Sequence, residues 1–159
     1  MKSAIIYYSC SGNTRKVADV LLEELKKKHE VDVIEVKVID EPDEFLRQVS
    51  RAFWHKKAAI QNVNFDLSSY NLVCFGTPVW AFGPAPAVNT YLDNCIGIEG
   101  KEVVLFTTYG SGAGNERCLN YMQGILAKKG AKDFKRFSIQ QFKVEDKEFV
   151  TKILQKAGI

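Results

Sequence analysis

Short apolar runs and amphipathic helical patterns alternate from one end of this chain to the other. That alternation restricts the fold more than any other feature. Lys2–Tyr8 reads as a buried strand, and Asn13–Lys28 as a helix with Val17, Leu21, Leu22 and Leu25 on one side. Val31–Val38 is β-branched and interrupted by acids, which suits a strand near a sheet edge. Glu41–Ala59 has Pro42 in its first turn and Phe45, Leu46, Val49 and Phe53 on one face, the pattern of a second helix. Gln61–Ser69 is polar and turn-like. Asn71–Gly76 is a continuous apolar strand, and the stretch Thr77–Pro86 after it reads as too rich in proline for regular structure. Pro86–Cys95 predicts a helix, Glu102–Thr108 a buried strand, Asn115–Lys129 a helix closed by Gly130, Phe134–Ile139 a strand and Asp146–Lys156 the last helix.

Strands that alternate with helices in this way form a parallel sheet covered on both faces. The expected fold is α/β: a three-layer, doubly wound, five-stranded parallel sheet. Right-handed crossovers leave few topologies, and the compact solution is strand order 2-1-3-4-5. The 159 residues fit one such domain, spanning residues 1–159, with no internal repeat or linker. In this topology the chain leaves strands 1, 3 and 4 at one edge of the sheet, which is where such folds bind ligands.

Three unusual loops fall at that edge. The first, Ser9-Cys10-Ser11-Gly12-Asn13-Thr14, joins a strand to a helix and gathers three hydroxyls, an amide and free backbone N–H groups. Unpaired amides and the helix dipole favour an anion there. The loop has no lysine or arginine before Arg15, and no G-x-x-x-x-G-K-[ST] pattern, so it is not a nucleoside-triphosphate loop of that type. A cysteine phosphatase would need an arginine six residues after its nucleophile. Arg15 is five after Cys10, no general-acid aspartate is evident, and Cys10 reads as a spacer turned away from the anion.

The second loop, Thr77-Pro78-Val79-Trp80-Ala81-Phe82-Gly83, carries aromatic rings in a rigid turn. Trp80 could cap the core; in a ligand-edge loop it reads instead as a stacking partner for a flat heterocycle, with Gly83 letting a peptide turn toward the ring. The third loop runs from Thr108 and Tyr109 through Gly110, Gly112 and Gly114. Its G-x-G-x-G falls one residue short of the dinucleotide fingerprint and follows the fourth strand rather than the first. It reads as a backbone cradle for the polar edge of a ring, with Tyr109 stacking opposite Trp80.

Composition excludes several other classes. The four cysteines are widely spaced and only two histidines accompany them, so no metal site is expected and no disulfide framework. The longest apolar runs are far too short to span a membrane, and the N-terminus has no signal-peptide pattern, which predicts a cytoplasmic protein without membrane insertion. The net charge is +3, and Lys128, Lys129, Lys132, Lys135, Arg136 and Lys143 are opposed over their span only by Asp133. Without a denser stripe and interleaved aromatics, this is a solvated surface and not a nucleic-acid site.

The stretches YYSCSGNTRKVA, FGTPVWAFGPAPAVNTYLD and LFTTYGSGAGN resemble the flavodoxin-like flavoprotein family, and in particular its short-chain members. The similarity covers nearly the whole chain. It implies bound FMN, with the phosphate on Ser9, Ser11, Gly12, Asn13 and Thr14 and the isoalloxazine between the second and third loops. Two features depart from the family: Ala81 stands where related proteins often carry a second tryptophan, and the chain is slightly basic where flavodoxins are strongly acidic. The resemblance leads first to an electron-transfer protein serving redox partner proteins, a monomer or weak dimer with no side chain in a catalytic role. The alternative is an NAD(P)H-dependent FMN or quinone oxidoreductase, motivated by the aromatic and basic cluster Phe53-Trp54-His55-Lys56-Lys57. A flavin-free binding module is the third possibility.

Overall fold

The computed structural model describes residues 1–39 and 57–159. Among them β1 (Lys2–Tyr7) pairs in parallel with β2 (Glu30–Glu35) on one side and with the central strand β3 (Leu72–Trp80) on the other. Beyond β3 lie β5 (Glu102–Tyr109) and β6 (Asp133–Gln140), also parallel, and the order across the sheet is β2-β1-β3-β5-β6. This is the expected doubly wound arrangement. It carries one addition, a two-residue strand β4 (Gly83–Pro84) that pairs antiparallel with the end of β3.

Side chains alternate along the strands, so each strand feeds two cores. Ala4, Ile6, Val73, Phe75, Val103 and Leu105 pack under α2 (Pro86–Asn94) and α3 (Asn115–Lys128), through Val88, Tyr91, Leu119 and Met122. Ile5, Cys74, Val104, Phe106 and Phe137 face the other way. They pack under α1 (Asn13–Leu25) and α4 (Lys147–Lys156), through Val17, Leu21, Val150 and Leu154. All of these side chains are buried, and at roughly 1.5–3 kcal/mol for each large apolar side chain the two layers dominate the stability. Asp146 caps α4, its carboxylate accepting the Phe149 amide at 2.9 Å. The Lys147–Glu23 pair at 3.0 Å and a Lys16–Glu145 pair tie the α4 region to α1 on the surface.

The boundaries differ from the sequence expectation in three places. β2 stops at Glu35; Val38 makes only an isolated antiparallel bridge to Ile60. The helix expected over Glu41–Ala59 lies outside the described residues except at Lys57–Ala59, which are not helical. The aromatic and basic cluster likewise lies outside them except for Lys57, whose ammonium pairs with Asp93 at 2.7 Å.

The third difference concerns Thr77–Pro86, which is regular after all. β3 continues through Thr77, Pro78 and Val79 to Trp80, turns over Ala81 and Phe82, and returns as Gly83–Pro84, with Trp80 opposite Gly83 and Val79 opposite Pro84. Proline fits because β1 pairs with β3 only as far as Gly76, so the extension has a parallel neighbour on one side alone. The turn itself is unusual. Ala81 (φ 46°) and Phe82 (φ 67°) both hold the left-handed backbone that a two-residue hairpin turn demands and that Asn-Gly normally supplies. Gly83, expected to be the flexible residue, is buried in the returning strand. Thr77 closes the base: its hydroxyl accepts the Ala85 amide at 3.0 Å and donates to the Pro78 carbonyl at 2.9 Å.

Candidate flavin site

The loops after β1, β3 and β5 meet at the same edge of the sheet, around a cavity of about 430 Å³. That volume lies within the roughly 300–1,000 Å³ of small-molecule sites. Cys10, Ser11 and Asn13 form one part of its wall, and Pro78, Val79 and Trp80 another; Thr108, Tyr109, Gly110 and Ser111 form the third. Gln141, just after β6, completes it. Ser9, Gly12, Thr14, Thr77, Ala81, Phe82, Gly83, Gly112 and Gly114, also predicted for the site, surround the wall without lining it.

The first loop takes its shape from Gly12, which holds φ 85° as the residue before α1. A side chain there would be strained, and glycine avoids that strain. Ser9 accepts the Arg15 amide on its hydroxyl at 3.2 Å, which satisfies one donor at the start of the helix. The amides of Asn13 and Thr14 precede the first helical acceptor and remain for an anion. Thr14 turns inward: its hydroxyl, 1% exposed, is 2.8 Å from that of Thr108, and this bond joins the first loop to the end of β5.

The nearby cations serve carboxylates already. Arg15 pairs with Glu35, and Lys16 pairs with Glu145. Burial, and secondarily Glu35, raise the Tyr7 phenol above its ordinary range, so it stays neutral. Among the described residues, no lysine, arginine, histidine or carboxylate lines the cavity. What the described wall offers an anion is peptide dipoles and hydroxyls.

Trp80 is half-buried and meets Tyr8 edge-on, with ring centroids 5.7 Å apart and planes at 86°. It thus packs against the core and lines the cavity at once. Phe82, 48% exposed, lies across Gly114, where a Cβ would stand 2.5 Å from the phenylalanine Cδ1. Gly114 therefore serves as the seat of the hairpin tip, with φ 91° besides. Cys10 is exposed and borders the cavity as well as a second one of about 570 Å³, shared with Tyr8, Ser9, Arg15, Glu35 and Lys37.

Sequence reasoning did not single out Ser111 or Gln141. The strand order held the signal for Gln141: β6 neighbours β5, so its end must reach the same edge. Among the described residues no cluster of histidine, cysteine or carboxylate could hold a metal ion, and no helix is long and apolar enough to cross a membrane.

The doubly wound sheet thus carries, at its carboxyl edge, a cavity with aromatic side chains in its wall, the place where open α/β sheets bind ligands. Residues 1–143 match the model of the NADPH-dependent FMN reductases, so the chain belongs to that family, which is flavodoxin-like and FMN-binding, and its cofactor is FMN. Solved structures agree in fold. A flavoprotein in complex with FMN from Lactobacillus acidophilus is 25% identical, with 92% of this chain and 98% of that chain covered and a TM-score of 0.62. Flavodoxin 1 from Bacillus cereus is 18% identical, covered 98% and 98%, with a TM-score of 0.63. An NADH:FMN oxidoreductase is 19% identical, covered 99% and 86%, with a TM-score of 0.67.

Proposed function

We propose that the protein is an FMN-dependent oxidoreductase that takes its electrons directly from NADPH or NADH. The observation that carries this reading is the family match over residues 1–143, which favours the reductase over the electron carrier that the flavodoxin resemblance first suggests. The mild excess of positive charge points the same way, because it suits an anionic nucleotide better than a basic protein partner.

In this reading the amides of Asn13 and Thr14, with the Ser11 hydroxyl, hold the phosphate. Trp80 and Tyr109 bracket the ring, and the backbone from Tyr109 to Ser111 meets its polar edge. FMN supplies hydride and electron transfer when bound; the chain supplies orientation and electrostatics. Arg117 stands 6.0 Å from the centroid of the Phe82 ring and has no carboxylate partner among the described residues. It is a cation available to the phosphates of a nicotinamide nucleotide.

The test is to mix FMN-loaded protein with NADPH, and separately NADH, without oxygen. Flavin absorbance should bleach within the mixing experiment with no other protein present. Bleaching that requires an added reductase would overturn the proposal. It would favour instead the electron carrier that the flavodoxin resemblance first suggests.

A further inference from the structure

Two adjacent glutamines at the end of β6 treat Gly110 in opposite ways. Gln140 pairs with Tyr109 in the sheet register, and its side-chain amide donates to the Gly110 carbonyl at 3.1 Å. That bond fixes the peptide after β5. Gln141 begins the short 3-10 turn Gln141–Lys143 and lays its side chain along the other side of the same residue. A Cβ on Gly110 would sit 3.4 Å from Nε2 and 3.6 Å from both Cδ and Oε1 of Gln141. The amide head group of Gln141 therefore lies beside Gly110, in ordinary contact range of that position.

Gln141 lines the cavity, and its carboxamide has no hydrogen-bond partner among the described residues. A side-chain amide offers one acceptor and two donors. The polar rim of an isoalloxazine presents carbonyl acceptors beside a ring N–H donor. One amide placed at that rim can serve both kinds of group, as a peptide does.

We propose that Gln141 is a ring-binding residue that hydrogen-bonds the polar edge of the flavin through its side-chain amide. This rests on the reading that the ring lies between the second and third loops. The placement gives the pocket a fourth wall from β6, alongside the walls from β1, β3 and β5. It also separates two tasks: Gln140 shapes the loop, and Gln141 touches the ligand.

The experiment measures the affinity of FMN and of riboflavin, which has the same ring without the phosphate, by quenching of flavin fluorescence. Wild type, Gln141→Leu and Gln141→Glu are compared. Loss of one neutral hydrogen bond should weaken both flavins by about 3- to 10-fold in Gln141→Leu. Because the residue is exposed, its melting temperature should stay at the wild-type value. Gln141→Glu keeps an acceptor but loses the donors. Its affinity for both flavins should match Gln141→Leu at neutral pH and recover as the carboxyl protonates in acid, a pH dependence that a merely structural residue would not create.

Unchanged affinity in both variants, with wild type binding FMN, overturns the proposal. Weakening confined to FMN overturns it too, since that would place Gln141 at the phosphate. Wild type binding neither flavin overturns the ring placement beneath it, and this inference with it.

Discussion

Thr14 and Thr108 are 94 residues apart in sequence, yet their hydroxyls are joined by one hydrogen bond inside the protein. Thr14→Val keeps the shape of the side chain and leaves the Thr108 hydroxyl without its partner. The expected loss is about 1–2 kcal/mol, or roughly 3–6 °C in melting temperature. Thermal unfolding of the apoprotein measures it, and an unchanged midpoint would show that the pair does not hold the loops together. The glycines of the third loop allow a sharper comparison. Gly112 and Gly114 both have positive φ, but a Cβ would meet nothing within 4 Å at Gly112 and would strike Phe82 at Gly114. Gly112→Ala should cost about 1 kcal/mol, for the backbone alone, and Gly114→Ala about 2–4 kcal/mol, for backbone and overlap together. Equal losses in urea titrations would mean that Phe82 moves aside freely.

Elements, rather than residues, account for what could and could not be read in advance. Core strands and helices were legible because their apolar periods are set by burial on one face or two, as in Val73–Phe75 and in Val17 and Leu21. The hairpin was not legible. Its turn residues, Ala81 and Phe82, carry none of the chemistry that announces a left-handed turn, so the fold-back of Gly83–Pro84 left no local trace. Without that fold-back, Thr77 seemed available to a ligand; with it, the Thr77 hydroxyl is engaged by Ala85 and Pro78. The hairpin therefore holds two non-glycine residues against their preference, and Ala81→Asn should relieve part of that strain. An increase in stability of about 0.5–1 kcal/mol, near 2–3 °C in melting temperature, is expected. A variant that melts below wild type would show that Ala81 is chosen for its contacts and not tolerated despite its backbone.

Across the whole molecule, chemistry is segregated from the core with little overlap. Cys74, Cys95 and Cys118 are buried, and burial pushes all three thiols up, Cys95 to about 11. Cys10 alone is exposed, and it sits on the wall of the cavity. A thiol reagent such as Ellman's should therefore titrate one group in the folded protein at pH 8 and four after denaturation, and saturating FMN should slow the first. Rapid release from more than one thiol in the native state would contradict the packing described. The match between anticipated and observed sheet order has the same origin as this segregation. Crossover handedness and two-faced burial are global constraints, and they act on the pattern of the whole chain more strongly than on any single loop.

The sheet order also sets a sequence of events. Wall residues run from Cys10 in the first loop to Gln141 after β6, and the pairing of β1 with β3 joins segments far apart in sequence. At a synthesis rate of about 5–20 residues per second, the two ends of that wall leave the ribosome on the order of ten seconds apart. Until β6 joins β5, that wall lacks Gln141. A chain that ends before β6 thus carries three sides of the cavity and not the fourth.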